Sequence, residues 1–186
     1  EAIAFHEGVP GHHLDGSVTS QLKGLPAFRR FGGFTAWSEG WGLYAEKLGK
    51  DMGFYTDPYR DFGRLQMELH RAIRLVVDTG LHDKRWTREQ AIQYVEQNSA
   101  DAPGGIVKAI ERYAVYPGQA TAYMVGRLKI AELRDKAQRE LGDTFTMAGF
   151  HDAVLLSGAV PMDVLDENVN AWIAQVKAGG KAGAAR

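Results

Sequence analysis

The chain reads as an all-α fold, and three features of the sequence predict it. Apolar residues return at helical spacing, as at Phe62, Leu65, Leu69, Ile73, Val76 and Val77. Helix-start signals precede such runs: Asp57 stands before Pro58, and Thr87 stands three residues before Gln90. No segment alternates with period two for long enough to argue a strand.

Taken in order, the elements follow from these signals. The opening stretch AFHEGVPGHHLDG is helical on both sides of a Pro-Gly interruption at Pro10 and Gly11. TAWSEGWGLYAEKLG forms a second helix. A long amphipathic helix starts at Pro58, and Gly80 is its expected stop. TREQAIQYVEQ follows with a capping box, then GGIVKAIERYAVY, then GQATAYMVGRLKIAELRDKAQREL, ending near Gly142. TMAGFHDAVLLSG is a short helix, and Pro161 opens a last one through about Val176. No internal repeat or linker interrupts the body, so residues 1–176 are expected to be one all-helical domain and residues 177–186 a disordered, small-residue, basic tail.

Length and composition bound the function. With 186 residues, the chain can bury one substantial core. Its 22 basic and 23 acidic residues give a net charge of -1, which offers nucleic acid no electrostatic footprint. No apolar run reaches the ~18 residues of a membrane span, and no signal peptide is visible. The chain lacks an initiator Met and opens on functional-looking sequence, so it reads as the C-terminal part of a longer protein. The rest of that parent is expected to complete a cleft, and both a cytoplasmic and an exported (periplasmic or lipoprotein) location stay open. There is no Cys. Disulfides and thiolate chemistry are therefore excluded, and a metal site must use His and carboxylates.

The opening stretch fits such a site. In zinc hydrolases two imidazoles bind the ion, and the glutamate beside the first takes a proton from the attacking water. The usual second His follows four residues after the first, returning to the same helix face. Here the choices are His12 and His13, six and seven residues after His6. On an ideal helix His13 lies about 10.5 Å along the axis and His12 points about 120° away. Pro10 cannot donate to the carbonyl of His6, and Gly8 and Gly11 permit unusual dihedrals. Two residues looped out as a bulge would bring His12 to the ligand position, leaving His13 to support the ligands from behind or to face substrate. Glu7 is then the general base.

A third ligand is needed. Glu39 and Glu46 share a helix one heptad apart. Glu39 is set among Trp37, Gly40, Trp41 and Gly42, where a partly buried charge needs a partner. Glu46, followed by Lys47 and Lys50, reads as a solvated ion pair. Glu39 is therefore the expected ligand, with one zinc per chain. The same donor set also accepts Mn, Co or Fe.

HEGVPGHHL, SEGWGLYAE, RLVVDTGLH, YPGQATAYMVG and FHDAVLLSGAVPMDVLDENV, in this order, resemble the bacterial family called domain of unknown function 885. The resemblance covers nearly the whole chain apart from the tail. That family's chains are longer, which makes this the C-terminal, site-bearing portion. The family in turn looks like a distant relative of the all-helical zinc peptidases of the gluzincin type, the thermostable carboxypeptidase and oligopeptidase group. Those carry a His-Glu helix, a Glu ligand on a following helix and a late tyrosine motif. The resemblance implies peptidase chemistry on short peptides, with Glu7 as base. Asp15 stands where Gln is expected after HHL.

Further residues are candidates around that chemistry. Tyr116 and Tyr123, seven residues apart, are oxyanion donors that would share a helix face; the alternative is a core tyrosine. His82, after an expected helix end, is a freely aimed donor or a cap. Arg74, four residues before Asp78, is a substrate-binding candidate or half of a structural ion pair. His151 is a packed histidine or a substrate-side residue, and His70 is expected to be exposed. Trp37, Trp41, Tyr44 and Phe54 are expected mostly in the core. Two other functions use the same residues: a zinc amidohydrolase on non-peptide amides, and a non-catalytic helical module with a structural His cluster.

Overall fold

The computed structural model describes residues 1–180. It is all-helical, with no strand among the described residues. The helices in chain order are α1 (Ala2–Glu7), α2 (His12–Gln21), α3 (Ala27–Phe31), α4 (Thr35–Asp51), α5 (Pro58–His82), α6 (Arg88–Asn98), α7 (Pro103–Val115), α8 (Gln119–Leu141), α9 (Met147–Leu155) and α10 (Met162–Lys177). No helix of the described residues is long and apolar enough to cross a membrane.

Local chemistry sets the helix starts. The Asp57 carboxylate accepts from the Tyr59 amide at 2.9 Å, with Pro58 at the first helical position. Thr87 and Gln90 form the reciprocal capping box, at 3.1 and 2.8 Å. Thr146 caps Gly149 at 3.1 Å. Between α7 and α8 the chain turns at Gly118, whose φ of +82° is costly for a residue with a Cβ.

Two apolar clusters hold the helices. One joins α4, α8, α9 and α10 through Trp37, Trp41, Ile130, Leu133, Phe150 and Leu165. Burying each such side chain contributes about 1.5–3 kcal/mol. The other joins α5, α6 and α7 through Ile73, Val77, Val95, Ile106 and Ile110. Helices α4 and α8 cross backbone to backbone. A Cβ on Gly40 would stand 2.5 Å from the Cα of Gly126, so the crossing requires glycine there.

The structure departs from the sequence reading at several points. Gly80 does not stop α5, which runs on to His82. The ring of Trp86 lies over it, and a Cβ there would meet Cε3 at 2.5 Å. Phe54 is exposed and packs on Phe5, whereas Trp37, Trp41 and Tyr44 are core. Helix α5 turns an unexpected face inward: Arg64, Arg71, Arg74 and Asp78 are buried, while Phe62, Leu65 and Leu69 are exposed. The period made it a helix, but not with its apolar stripe fully inside. The last helix extends through Lys177, one residue past the expected boundary. Residues 181–186 of the expected tail lie outside the described residues.

Candidate metal centre

The interruption at the start of the chain is a break rather than a bulge. Helix α1 ends at Glu7, residues Gly8 to Gly11 turn, and α2 begins at His12. The amide of His13 donates back to the Gly8 carbonyl at 3.2 Å. The indole N–H of Trp41 donates to the Pro10 carbonyl at 2.8 Å, which ties the turn to α4. A Cβ on Gly11 would collide with the carbonyl oxygens of Phe5 and His6, so only glycine fits the tightest point. The result swings His12 back to His6, with ring centroids 4.7 Å apart and perpendicular.

Three ligand-capable groups then converge from three helices, where two were expected: His6 from α1, His12 from α2 and Glu39 from α4. Their ligand atoms all lie within 4.8 Å of one another. Glu39 Oε2 is 3.3 Å from His6 Nε2 and 3.3 Å from His12 Nε2. That is long for an N–H···O bond, which favours about 2.7–3.2 Å. It matches the edge of a tetrahedron with donors about 2.0–2.1 Å from a central ion, roughly 3.3 Å. Two imidazoles and one carboxylate are also a suitable zinc donor set, and three protein donors leave a fourth position open. The residues present therefore fit a zinc-sized divalent ion.

A second layer fixes the first. His6 is buried, and its Nδ1 is 2.9 Å from Glu46 Oε1. Glu46 is buried too, with Arg71 Nη2 at 3.6 Å from the same oxygen. A carboxylate on the far nitrogen of a ligating His holds ring angle and tautomer and raises its basicity. Gly42 leaves room for the ring: a Cβ there would meet His6 Nε2 at 2.7 Å. Tyr123 on α8 lies beside the cluster, stacked at 6.0 Å from the His6 ring.

The electrostatics describe a place for a cation. Burial opposes charge on His6, but hydrogen bonds to Glu39 and Glu46 outweigh it and raise its pKa to about 9. Burial likewise opposes charge on Glu39, yet hydrogen bonding from His12, His6 and Tyr123 holds it well below the usual carboxylate range. Without a metal, a proton on His6 is the positive charge between two carboxylates. Burial raises Asp15, near His12, to about 6 against the hydrogen bond from Thr19.

The other candidates fall in different places. Glu7, at the end of α1, is exposed beside His6. His13 is exposed on α2. Tyr116 is exposed at the end of α7, and the left-handed turn at Gly118 separates it from Tyr123, so the two share no helix face. His82 is tied to the Tyr113 carbonyl at 2.9 Å, joining α5 to α7 away from the cluster. His151 sits across α4, 3.0 Å from the Tyr44 hydroxyl. His70 is half-buried and bonded to Asp101 at 2.9 Å. Arg74 does not pair with Asp78: it donates to Gln119 at 3.0 Å, while Asp78 accepts from the Gly118 amide. Glu46 is not the solvated partner of Lys50 either. Lys50 pairs with Asp61 at 2.7 Å, and Lys47 with Asp51 at 2.6 Å. The heptad spacing of Glu39 and Glu46 was the signal that both face one way.

Solved structures share this fold. A crystal structure described as "the putative lipoprotein from Colwellia psychrerythraea" is 51% identical, with a TM-score of 0.91 over 94% of this chain and 30% of that one. A "putative lipoprotein of unknown function from Shewanella oneidensis" shares the fold at 23% identity, with a TM-score of 0.81 over 89% of this chain and 30% of that one. The chain thus spans about 30% of the length of these relatives. No curated protein matches it. The model of the family described as "bacterial protein of unknown function (DUF885)" matches residues 1–169, and the chain belongs to that family.

Proposed function

We propose that this chain carries the hydrolytic centre of a zinc-dependent metallopeptidase acting on short peptides. The observation that carries the reading is the convergence of His6, His12 and Glu39, with Glu39 at tetrahedral-edge distance from both imidazoles and Glu46 behind His6. The ordered motifs that resemble the helical zinc peptidases support the same chemistry. A zinc ion held by those three residues would polarise an amide carbonyl and lower the pKa of water toward neutrality.

The chain's own residues supply the rest. His6 and His12 offer their Nε2 atoms and Glu39 its Oε2. Glu46 keeps Nδ1 of His6 engaged, so Nε2 is the free nitrogen. Glu7 follows His6 directly and is exposed to approaching solvent, the position for a base that takes a proton from water and returns it to the leaving amine. Tyr123 offers a hydroxyl beside Glu39 to the developing oxyanion. Of the two locations left open, the lipoprotein description of the similar structures favours the exported one.

Elemental mass spectrometry after zinc reconstitution tests the centre, and a peptide-hydrolysis screen tests the activity. About one zinc per chain is expected. Glu7→Gln should retain that zinc and lose about 10²–10⁴-fold in turnover. A protein that takes up no zinc, or a Glu7→Gln variant as active as wild type, refutes the proposal.

A further inference from the structure

Three arginines of α5 are buried, and two have carboxylate partners. Arg64 bonds Asp61 at 2.8 Å and Glu68 at 3.0 Å, and Arg71 lies 3.6 Å from Glu46. Arg74 is 8% exposed and ion-pairs with no carboxylate among the described residues. Its guanidinium is held between two rings, 4.1 Å from the Tyr123 centroid and 5.1 Å from that of Tyr113. Nη2 donates to the neutral Gln119 side chain, and Nε has no partner. Burying a cation without a counter-ion is costly, and a rigid aromatic clamp does not neutralise it. The arrangement is that of a site waiting for an anion.

Arg74 also lines a cavity of about 230 Å³. Ile73, Val95, Ile106 and Tyr113 make its walls apolar. The first turn of the 13-residue α7 enters the lining through Ala102, Gly105 and Ile106, a helix end that favours negative charge. Asp101 stands in the lining as well, with its charge engaged by His70 at 2.9 Å. A cavity of about 150 Å³ accepts a benzene ring, so this one has room for one apolar side chain and a carboxylate.

Arg74, in the cavity lining, is one aromatic ring away from the candidate centre. The Tyr123 ring lies 6.0 Å from the His6 ring and 4.1 Å from the Arg74 guanidinium. Two or three extended residues, at about 3.3–3.6 Å each, cover that span. We infer that this cavity is a carboxylate-anchoring pocket: Arg74 binds the carboxylate of a peptide's terminal residue, and the apolar wall takes its side chain. The choice of a peptide as ligand rests on the metallopeptidase reading; the carboxylate site does not.

Calorimetric titration of metal-free protein with three probes tests this. N-acetyl-L-phenylalanine carries a main-chain carboxylate and an apolar side chain. Its primary amide lacks the carboxylate. N-acetyl-L-glutamic acid α-amide carries the carboxylate on its side chain. The acid should bind about ten- to a hundred-fold more tightly than its amide, the effect of one charge-assisted pair. Arg74→Gln should erase that preference. Ala109→Phe, which fills the cavity and leaves Arg74 in place, should weaken the acid by about tenfold or more. If Arg74→Gln does not fold, the wild-type preference and Ala109→Phe decide. Binding of the glutamate probe with the same Arg74 dependence would assign the pocket to acidic side chains and still support a carboxylate site. Equal binding of acid and amide, no binding of either, or an acid preference that survives Arg74→Gln would overturn it. A protein that cleaves peptides with free and amidated ends alike would overturn this inference and leave the peptidase reading standing. Carboxylate binding without zinc uptake would do the reverse.

Discussion

His6 and His151 are held against opposite faces of the same helix, and their surroundings drive their protons in opposite directions. His6 meets α4 at Glu39, Gly42 and Glu46, residues spaced to share one face. His151 meets it at Trp41 and Tyr44. Both rings lose water on burial, which disfavours charge. On His6 the two carboxylates reverse that cost and lift the pKa to about 9. On His151 burial dominates, the Arg134 cation adds to it, and the pKa falls to about 4. Burial alone therefore does not mark a functional histidine. Converging carboxylates on both ring nitrogens turn a packed histidine into a place for a cation.

The sharpest way to break this comparison is metal content. His6→Ala and Glu39→Ala should each abolish stoichiometric zinc after reconstitution, since each removes one of three donors. His151→Ala should leave zinc at the wild-type level, because that ring faces the other side of α4. Zinc retained without Glu39, or lost without His151, would mean that the two faces are not distinct in the way their surroundings suggest.

A finer cut separates the donors from the residue behind them. Glu46→Gln keeps the size and one acceptor but removes the negative charge on the far side of His6. Outer partners of this kind typically change metal affinity by about 10–100-fold, so weaker but measurable zinc binding is expected in a competitive chelator titration. An affinity equal to wild type would reduce Glu46 to a packing residue.

Much of the helical frame was legible because its signals are local. The Asp57-Pro58 start, the Thr87-Gln90 box and the end of α8 near Gly142 each depend on a few adjacent residues. So did the approach of His12, since the Gly8–Gly11 segment had to relieve a geometric conflict within the same short stretch. What stayed hidden depends on partners far along the chain. Glu46 followed by two lysines reads equally well as surface, and its burial comes from His6, forty residues earlier, and from Arg71. The spacing of α5 defined a helix, but Glu46 of α4 and Gln119 of α8 decided that Arg71 and Arg74 face inward. Tyr116 and Tyr123 looked equivalent until the left-handed turn at Gly118 placed them on different helices.

The smallest expected effect sharpens the His151 side. The groups facing its ring are the Tyr44 hydroxyl and the Arg134 guanidinium, itself bonded to Asp51 at 3.1 Å. Its folded pKa of about 4 lies below the ordinary 6.5, so between those values the unfolded chain binds more protons than the folded one. Stability then rises with pH across that window and is lost as pH falls from 6.5 toward 4, by about 1–3 kcal/mol. Asp15 has the opposite slope, because a carboxyl raised to about 6 is more protonated folded than unfolded. His6 acts above 6.5, outside the window. The informative quantity is therefore the difference between wild type and His151→Gln in urea midpoints at pH 4 and 6.5. The variant, neutral at both values, should lose less stability on acidification than wild type. Parallel losses would show that His151 is protonated as readily in the folded chain as in the unfolded one, and that the Arg134 side of α4 does not exclude a positive charge.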